Sequence, residues 1–213
     1  QDFARWSSGL SELTADDCNA VLGMSNARQL LNELVESFQF VRALDQSGHY
    51  AFHDLFKSFL RDLLRQDQAA FEALAMRSAQ HYERTGRWEL AYRQLQETQA
   101  LIPLAGLVER AAPALYEAGD WAKLESWVEG LPETLLSERP HLRVLAARAA
   151  VQLGQPDRAM RLLELAEPRG AAPDRELQAE IGVARAQAYR LQGLLERCGA
   201  EAGRVLSLLG APE

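Results

Sequence analysis

Few features of this chain point to a secreted, disulfide-linked or membrane-bound protein. Its 213 residues include only two cysteines, Cys18 and Cys198, and both lie in apolar helical patterns where a free thiol behaves as a small hydrophobe. We therefore expect reduced thiols and a cytoplasmic location. The polar N-terminal residues lack the apolar region of a signal peptide, and no apolar run is long enough to cross a membrane.

Lysine is also scarce, and the 30 acidic residues outnumber the 23 basic ones. The net charge is −7, and the only lysines are Lys57 and Lys123. Residues 1–66 carry six Arg and Lys against nine Asp and Glu, so the charge does not favour binding of DNA or of an anionic membrane. The apolar fraction of 47% is that of a globular protein with a substantial core. The missing initiator methionine suggests a fragment of a longer protein.

The signatures of common catalytic and cofactor sites are absent as well. The sequence has no Gly-x-x-x-x-Gly-Lys-Ser/Thr loop, no glycine-rich dinucleotide turn and no serine in a nucleophile elbow. Its four histidines are scattered and its cysteines are far apart, which does not favour a metal site. We therefore predict that the chain is not an enzyme and holds no metal or cofactor by itself.

Helical patterning begins near the N-terminus. Residues 10–23 predict a helix in which Thr14 is the N-cap, acidic residues follow in the first turn, and Gly23 ends the helix. A second helix is predicted to begin after Ser25 or Asn26, because leucines then recur on one face at the helical period.

A short β-hairpin is predicted next. Residues 40–44 and 49–52 are rich in aromatic and β-branched side chains, and the Asp-Gln-Ser-Gly between them is a favourable turn sequence. Another helix is predicted to begin at Asp54. The order helix, helix, hairpin, helix is typical of a winged-helix-like domain, which we assign to residues 1–66.

The helix that begins at Asp54 is predicted to be strongly amphipathic, with large apolar side chains on one continuous face and polar side chains opposite. The apolar face comprises Leu55, Phe56, Phe59, Leu60, Leu63 and Leu64. The polar face comprises Lys57, Ser58, Arg61, Asp62 and Arg65.

From residue 67 onward the pattern predicts helices alone, arranged as repeats. Glycines recur at intervals of 33, 35 and 39 residues, at Gly86, Gly119, Gly154 and Gly193. Small residues follow two of them by five positions, at Ala91 and Ala159, where paired helices would approach closely. A period near 34 residues is typical of tetratricopeptide (TPR) repeats, which stack into a superhelix. We therefore predict a mainly α protein with a TPR-like α-α superhelix over residues 67–213.

The pair His53–Asp54, where the hairpin meets its helix, has two interpretations. In one, His53 points across a domain boundary and donates a hydrogen bond to an anion, while Asp54 caps the helix and orients the imidazole. In the other, His53 packs at the end of the sheet and Asp54 is simply an N-cap. The residues alone favour the second interpretation.

A longer motif around this pair resembles one in the MalT-like (LuxR-type) ATP-binding transcription regulators, a branch of the signal-transduction ATPases. It runs Tyr50-x-Phe52-His53-x-Leu55-Phe56-x-x-Phe59-Leu60. Related apoptotic and plant immune ATPases carry Met-His-Asp at the same place, and here Phe52 replaces the methionine. The later segment Leu124-x-x-Trp127-x-x-x-Leu131-Pro132 is similar to the helical region that follows the winged helix in this family.

The resemblance implies that His53, with Asp54 beside it, contacts the β-phosphate of ADP held by a separate upstream nucleotide-binding domain. It also implies an ATP-binding parent protein, a slow ATPase that contacts DNA through a further C-terminal domain and self-associates when active. The helical arm would bind a small-molecule or protein effector at residues that the sequence does not identify. We therefore expect the regulatory and sensor fragment of a bacterial ATP-dependent transcription activator. The alternative is a TPR-type protein–protein interaction scaffold without nucleotide dependence.

Overall fold

The protein consists of two compact units, Gln1–Leu104 and Ala105–Glu213. The computed structural model describes residues 2–37, 40–45, 48–167 and 174–210. The predicted domain boundary at residue 66 lies within the first unit, because two helices that follow it pack there as well. That boundary stays a prediction.

The first unit contains a small sheet surrounded by helices. Its elements are, in chain order, α1 (Asp2–Ser7), β1 (Leu13–Thr14), α2 (Ala15–Leu22), α3 (Ala27–Ser37), β2 (Val41–Ala43), β3 (His49–Phe52), α4 (Asp54–Arg65), α5 (Gln68–Arg84) and α6 (Trp88–Gln96). The winged-helix-like order of helix, helix, hairpin and helix is therefore confirmed in α2 to α4. The predicted turn of the hairpin falls partly outside the described residues.

The predicted caps of α2 are confirmed, but its predicted start is wrong. The Thr14 hydroxyl accepts a hydrogen bond of 3.0 Å from the backbone N–H of Asp17, and Gly23 ends the helix with φ +69°. The helix begins at Ala15 because Leu13 and Thr14 form β1, which pairs antiparallel with β3 at Tyr50 and His49. The result is a three-stranded sheet in the order β1-β3-β2.

The core of the winged helix lies between this sheet and helices α1 to α4. Its most buried side chains include Cys18, Ala27 and Leu31, each fully removed from solvent. Leu64 and Leu74 belong to a second apolar cluster, and an added Cβ at Gly9 would come within 2.6 Å of Leu74 and 2.8 Å of Leu64. Close packing therefore joins α4 and α5 to the loop that follows α1.

Helix α4 is amphipathic as predicted, but only part of its apolar face is covered. Leu60 and Leu64 are buried, whereas Leu55 is 78% and Phe59 57% exposed. From the predicted polar face, Arg61 forms an ion pair with Glu97, the residue after α6. The six apolar side chains span more of the helix circumference than the core of the unit covers, so the outer stripe stays in solvent.

A buried ionic network holds the α5–α6 hairpin against α2. Asp17 is 2% exposed, and its carboxylate lies 2.8 Å from Nε2 of His81 and accepts a hydrogen bond of 2.9 Å from Nη1 of Arg87. The guanidinium of Arg87 also lies over the ring of Tyr82, 4.7 Å from its centroid. Burial raises the pKa of Tyr82, whose hydroxyl accepts a hydrogen bond of 3.3 Å from the backbone N–H of Glu12.

The second unit is built from helical hairpins, as the repeat pattern predicts. Its helices are α7 (Leu101–Glu117, which contains the boundary between the units), α8 (Trp121–Glu129), α9 (Glu133–Glu138), α10 (Pro140–Gln152), α11 (Pro156–Ala166), α12 (Arg175–Leu191) and α13 (Leu195–Gly210). The mainly α fold, with a winged-helix-like part followed by TPR-like helical repeats, is confirmed.

The four repeat glycines end the first helix of each hairpin in the same way. Gly86, Gly119, Gly154 and Gly193 all have positive φ between +71° and +75°. In each turn, the N–H of the next residue bonds the carbonyl four positions before the glycine, at 2.8 to 2.9 Å. This is the hydrogen-bond pattern of a Schellman motif. The small residues Ala91 and Ala159 are fully buried, as the close approach of paired helices requires.

Candidate functional site

His53 lies where β3 ends and α4 begins. Its backbone N–H donates a hydrogen bond of 2.7 Å to the carbonyl of Phe40, which extends the hairpin ladder by one step. His53 itself is the N-cap residue of α4, with φ −60° and ψ 136°, yet its side chain makes no capping hydrogen bond. The imidazole is exposed and has no hydrogen-bond partner among the residues that the structure describes. It is therefore free to contact a ligand or another domain.

Asp54 does not have the predicted capping role. It is the first residue of α4 rather than its N-cap, because His53 already has the extended backbone conformation of that position. Its exposed carboxylate forms no hydrogen bond with His53 in the described structure. A carboxylate in the first turn still interacts favourably with the helix dipole. The prediction that Asp54 caps α4 and orients His53 is therefore wrong.

A shallow concavity of about 290 Å³ opens beside His53. It is lined by residues of both hairpin strands and of the segments directly before β2 and after β3: Phe40, Val41, Arg42, Phe52, His53 and Asp54. Phe40 is half exposed and stacks on Phe56, with 5.1 Å between the ring centroids. The concavity thus has an aromatic wall and a charged rim, and sequence analysis had not assigned Arg42 to it.

A larger concavity lies in the second unit, but its basic side chains are paired. This concavity of about 800 Å³ between α12 and α13 contains three arginines, but each is already occupied. Arg185 pairs with Glu167 at 2.9 Å, Arg204 pairs with Glu201, and Arg175 donates to the carbonyl of Leu208 at 2.7 Å. Within the described residues, no group of three or more metal-binding side chains occurs, and no helix is long and apolar enough to cross a membrane.

The network around Asp17 is a second arrangement that sequence analysis missed. His81 and Arg87 lie 64 and 70 residues from Asp17, so no local pattern joins them. The position of Arg87 gives no signal of this contact either, because the residue after the repeat glycine varies and is Arg87, Asp120, Gln155 or Leu194.

These features define a class: a winged-helix domain with an exposed histidine at the start of its last helix, joined to an arm of TPR-like hairpins. Residues 1–72 match the family model of the MalT winged helix domain. The chain is therefore a MalT-like regulator segment, consisting of a MalT winged-helix domain followed by helical hairpins.

Curated relatives agree with this assignment. The chain is 31% identical over 175 residues to the HTH-type transcriptional regulator MalT of Yersinia pestis (strain Pestoides F) and of Yersinia pseudotuberculosis (serotype O:3, strain YPIII). It is 30% identical to the MalT of Yersinia enterocolitica (serotype O:8 / biotype 1B). In each case the match covers 78% of this chain but 19% of the relative, so the chain spans about a fifth of their length. No solved structure matches the chain at a significant level.

Proposed function

We propose that this chain is the regulatory and sensor portion of a bacterial ATP-dependent transcription activator, in which His53 senses bound ADP. A nucleotide-binding domain elsewhere in the protein would hold the ADP, and the imidazole would donate a hydrogen bond to its β-phosphate. The observation that carries this proposal is the exposed, unpaired side chain of His53 at a helix N-terminus that has no side-chain cap.

The surroundings of His53 suit a phosphate. The first backbone N–H groups of a helix attract anions, and no side chain caps them at the start of α4. Imidazole is a hydrogen-bond donor in both its neutral and its protonated form. The concavity beside His53 opens to solvent, and its rim carries the guanidinium of Arg42. These features support recognition of a ligand presented by a second domain.

The helical arm, in this proposal, binds the effector or a partner protein. Such a ligand changes activity only if it binds the resting and active states with unequal affinity. Contact with DNA, hydrolysis of ATP and self-association in the active state are assigned to the complete protein, which we place in the cytoplasm. The residues of the arm that contact the effector are not part of the proposal.

Replacing His53 with alanine in the complete protein tests the nucleotide role. A hydrogen bond to a charged group contributes about 1.5 kcal/mol, so we expect ADP to dissociate about tenfold faster and basal transcription to rise. His49→Ala is the matched control, because His49 is also exposed on the hairpin but pairs with Asp45 at 2.9 Å. Equal ADP release from the two variants would contradict the proposal.

The alternative function is a protein–protein interaction scaffold that does not depend on nucleotide. It is supported by the outward leucines of α13, since Leu195, Leu206 and Leu209 are each 61% or more exposed. A helical arm with such a surface is suited to packing against another apolar helix. Under this alternative, His53→Ala leaves both ADP release and basal activity unchanged, while Leu206→Ser weakens binding of a partner.

A further inference from the structure

Arg42 occupies the same outward face of the hairpin as His53. In the antiparallel pairing of β2 and β3, Val41 lies opposite Phe52 and Arg42 opposite Ala51. Val41 and Phe52 are buried, so their neighbours along each strand point away from the core. The bond between the His53 N–H and the carbonyl of Phe40 continues this register. Arg42 and His53 are therefore diagonal neighbours on one exposed surface.

The spacing of these two side chains fits a shared ligand. Diagonal neighbours in an antiparallel pair are separated by about 7 to 8 Å, which long side chains can bridge. Ala51 lies opposite Arg42 on this face and contributes only a methyl group. Both Arg42 and His53 line the concavity of about 290 Å³ described above. A group placed there can contact the guanidinium and the imidazole together.

The charge of the concavity depends on Arg42. Asp54 contributes a carboxylate to the lining, and without Arg42 no arginine or lysine of the lining would offset that carboxylate. A diphosphate would be repelled by such a site. Arg42 is exposed and makes no hydrogen bond or ion pair with the described residues, so its guanidinium is available. The planar guanidinium can bind two phosphate oxygens at once.

We propose that Arg42 is a second phosphate-binding residue of the ADP sensor and acts together with His53. This inference rests on the function proposed for His53, and it assigns the ligand as a nucleoside diphosphate whose terminal phosphate meets both side chains. Arg42 supplies the positive charge that offsets Asp54, and His53 supplies a directed hydrogen bond. The sensor thereby recognises the negative charge of the terminal phosphate as well as its position.

The test measures ADP release from the complete protein, loaded with labelled ADP, in a set of variants. Arg42→Gln should accelerate release about tenfold, as expected for loss of one charge-assisted contact. Arg42→Lys should restore part of the retention, because it keeps the charge but loses the two-point geometry. Raising the salt concentration should speed release from the unmodified protein more than from Arg42→Gln. Arg84→Gln is the matched control, since Arg84 is an exposed arginine on α5.

The outcomes separate this inference from the function on which it rests. Fast release from His53→Ala with unchanged release from Arg42→Gln overturns the role of Arg42 and leaves the sensor role of His53 standing. Unchanged release from both variants overturns both. Fast release from Arg42→Gln, equal to that from Arg84→Gln, indicates a general charge effect and also overturns the specific role of Arg42. Circular dichroism of each variant confirms that the fold is retained.

Discussion

Replacing Asp17 with asparagine tests how the first helical hairpin is held against the winged helix. Asp17 is 2% exposed, and its carboxylate is the common acceptor of His81 and Arg87. Asparagine has nearly the same shape but no charge, and its amide nitrogen cannot accept a hydrogen bond. The substitution therefore removes the anion and leaves one carbonyl oxygen in place of the two carboxylate oxygens that His81 and Arg87 contact.

The magnitude follows from the burial of the three groups. Removing one partner of a fully buried ion pair costs about 3 to 5 kcal/mol. Arg87 is 32% exposed and can regain contact with water, whereas His81 is 13% exposed. Partial rehydration of Arg87 lowers the expected loss in free energy of unfolding to about 2 to 3 kcal/mol.

Urea unfolding followed by circular dichroism measures this loss. If the free energy of unfolding falls by about 1.5 kcal/mol per molar urea, the urea concentration at the unfolding midpoint of the first unit should fall by about 1 to 2 M. Asp16→Asn is the matched control, because Asp16 is exposed on the same turn of α2 and the change in net charge is identical. Its effect should stay within about 0.5 kcal/mol. Equal midpoints for the two variants would refute the buried network as a source of stability.

The pH dependence gives a second check on the same residue. Burial by itself would raise the pKa of Asp17, but hydrogen bonds from Arg87 and His81 outweigh burial and hold that pKa below its ordinary value of 3.8. A carboxyl group with a depressed folded-state pKa stabilises the fold above its unfolded-state pKa, and this contribution is lost as the pH falls through the folded-state value. The stability difference between the unmodified protein and Asp17→Asn should therefore shrink below about pH 4. A constant difference down to pH 3 would contradict an ionic origin.

Two further predictions concern a thiol and a glycine. Burial raises the pKa of the Cys18 thiol to about 12. A thiol reagent at pH 8 should therefore modify the half-buried Cys198 quickly and Cys18 only after unfolding. Equal modification rates of the two thiols in the native protein would contradict this prediction. An added Cβ at Gly182 would lie 2.4 Å from Cγ2 of Val205, so Gly182→Ala should lower the thermal midpoint of the second unit by overpacking that costs about 1 to 3 kcal/mol. Gly199→Ala on α13 has open space around its Cβ and should leave the midpoint unchanged or raise it, and a similar loss in both variants would argue against the steric explanation.

Features that depend on a few neighbouring residues were predictable. The N-cap at Thr14 was confirmed, because a hydroxyl at that position meets the backbone of Asp17 within the same turn. The positive φ of the repeat glycines, such as Gly154, was signalled by their place between two helical patterns. The hairpin before His53 was likewise confirmed from its aromatic and β-branched strands.

Features that depend on the register of distant segments were not predictable. Strand β1 was assigned to a helix, because Leu13 and Thr14 become a strand only by pairing with β3. At the candidate site, the location of His53 at the end of the hairpin was correct. The predicted N-cap of α4 was wrong by one residue, because His53 and not Asp54 occupies that position. Arg42 was missed, because its proximity to His53 is created by the strand pairing.

The sequence by itself determined the helices and their turns, the β-hairpin and the overall class, since capping residues and hydrophobic periodicity act over a few positions along the chain. Only the tertiary structure decided which side of α4 is covered, which basic side chains surround Asp17, and which residues share the concavity with His53. Each of those outcomes depends on how one element is rotated or registered against another, and residues such as Asp17 and Arg87, 70 positions apart, carry no local signal of their contact.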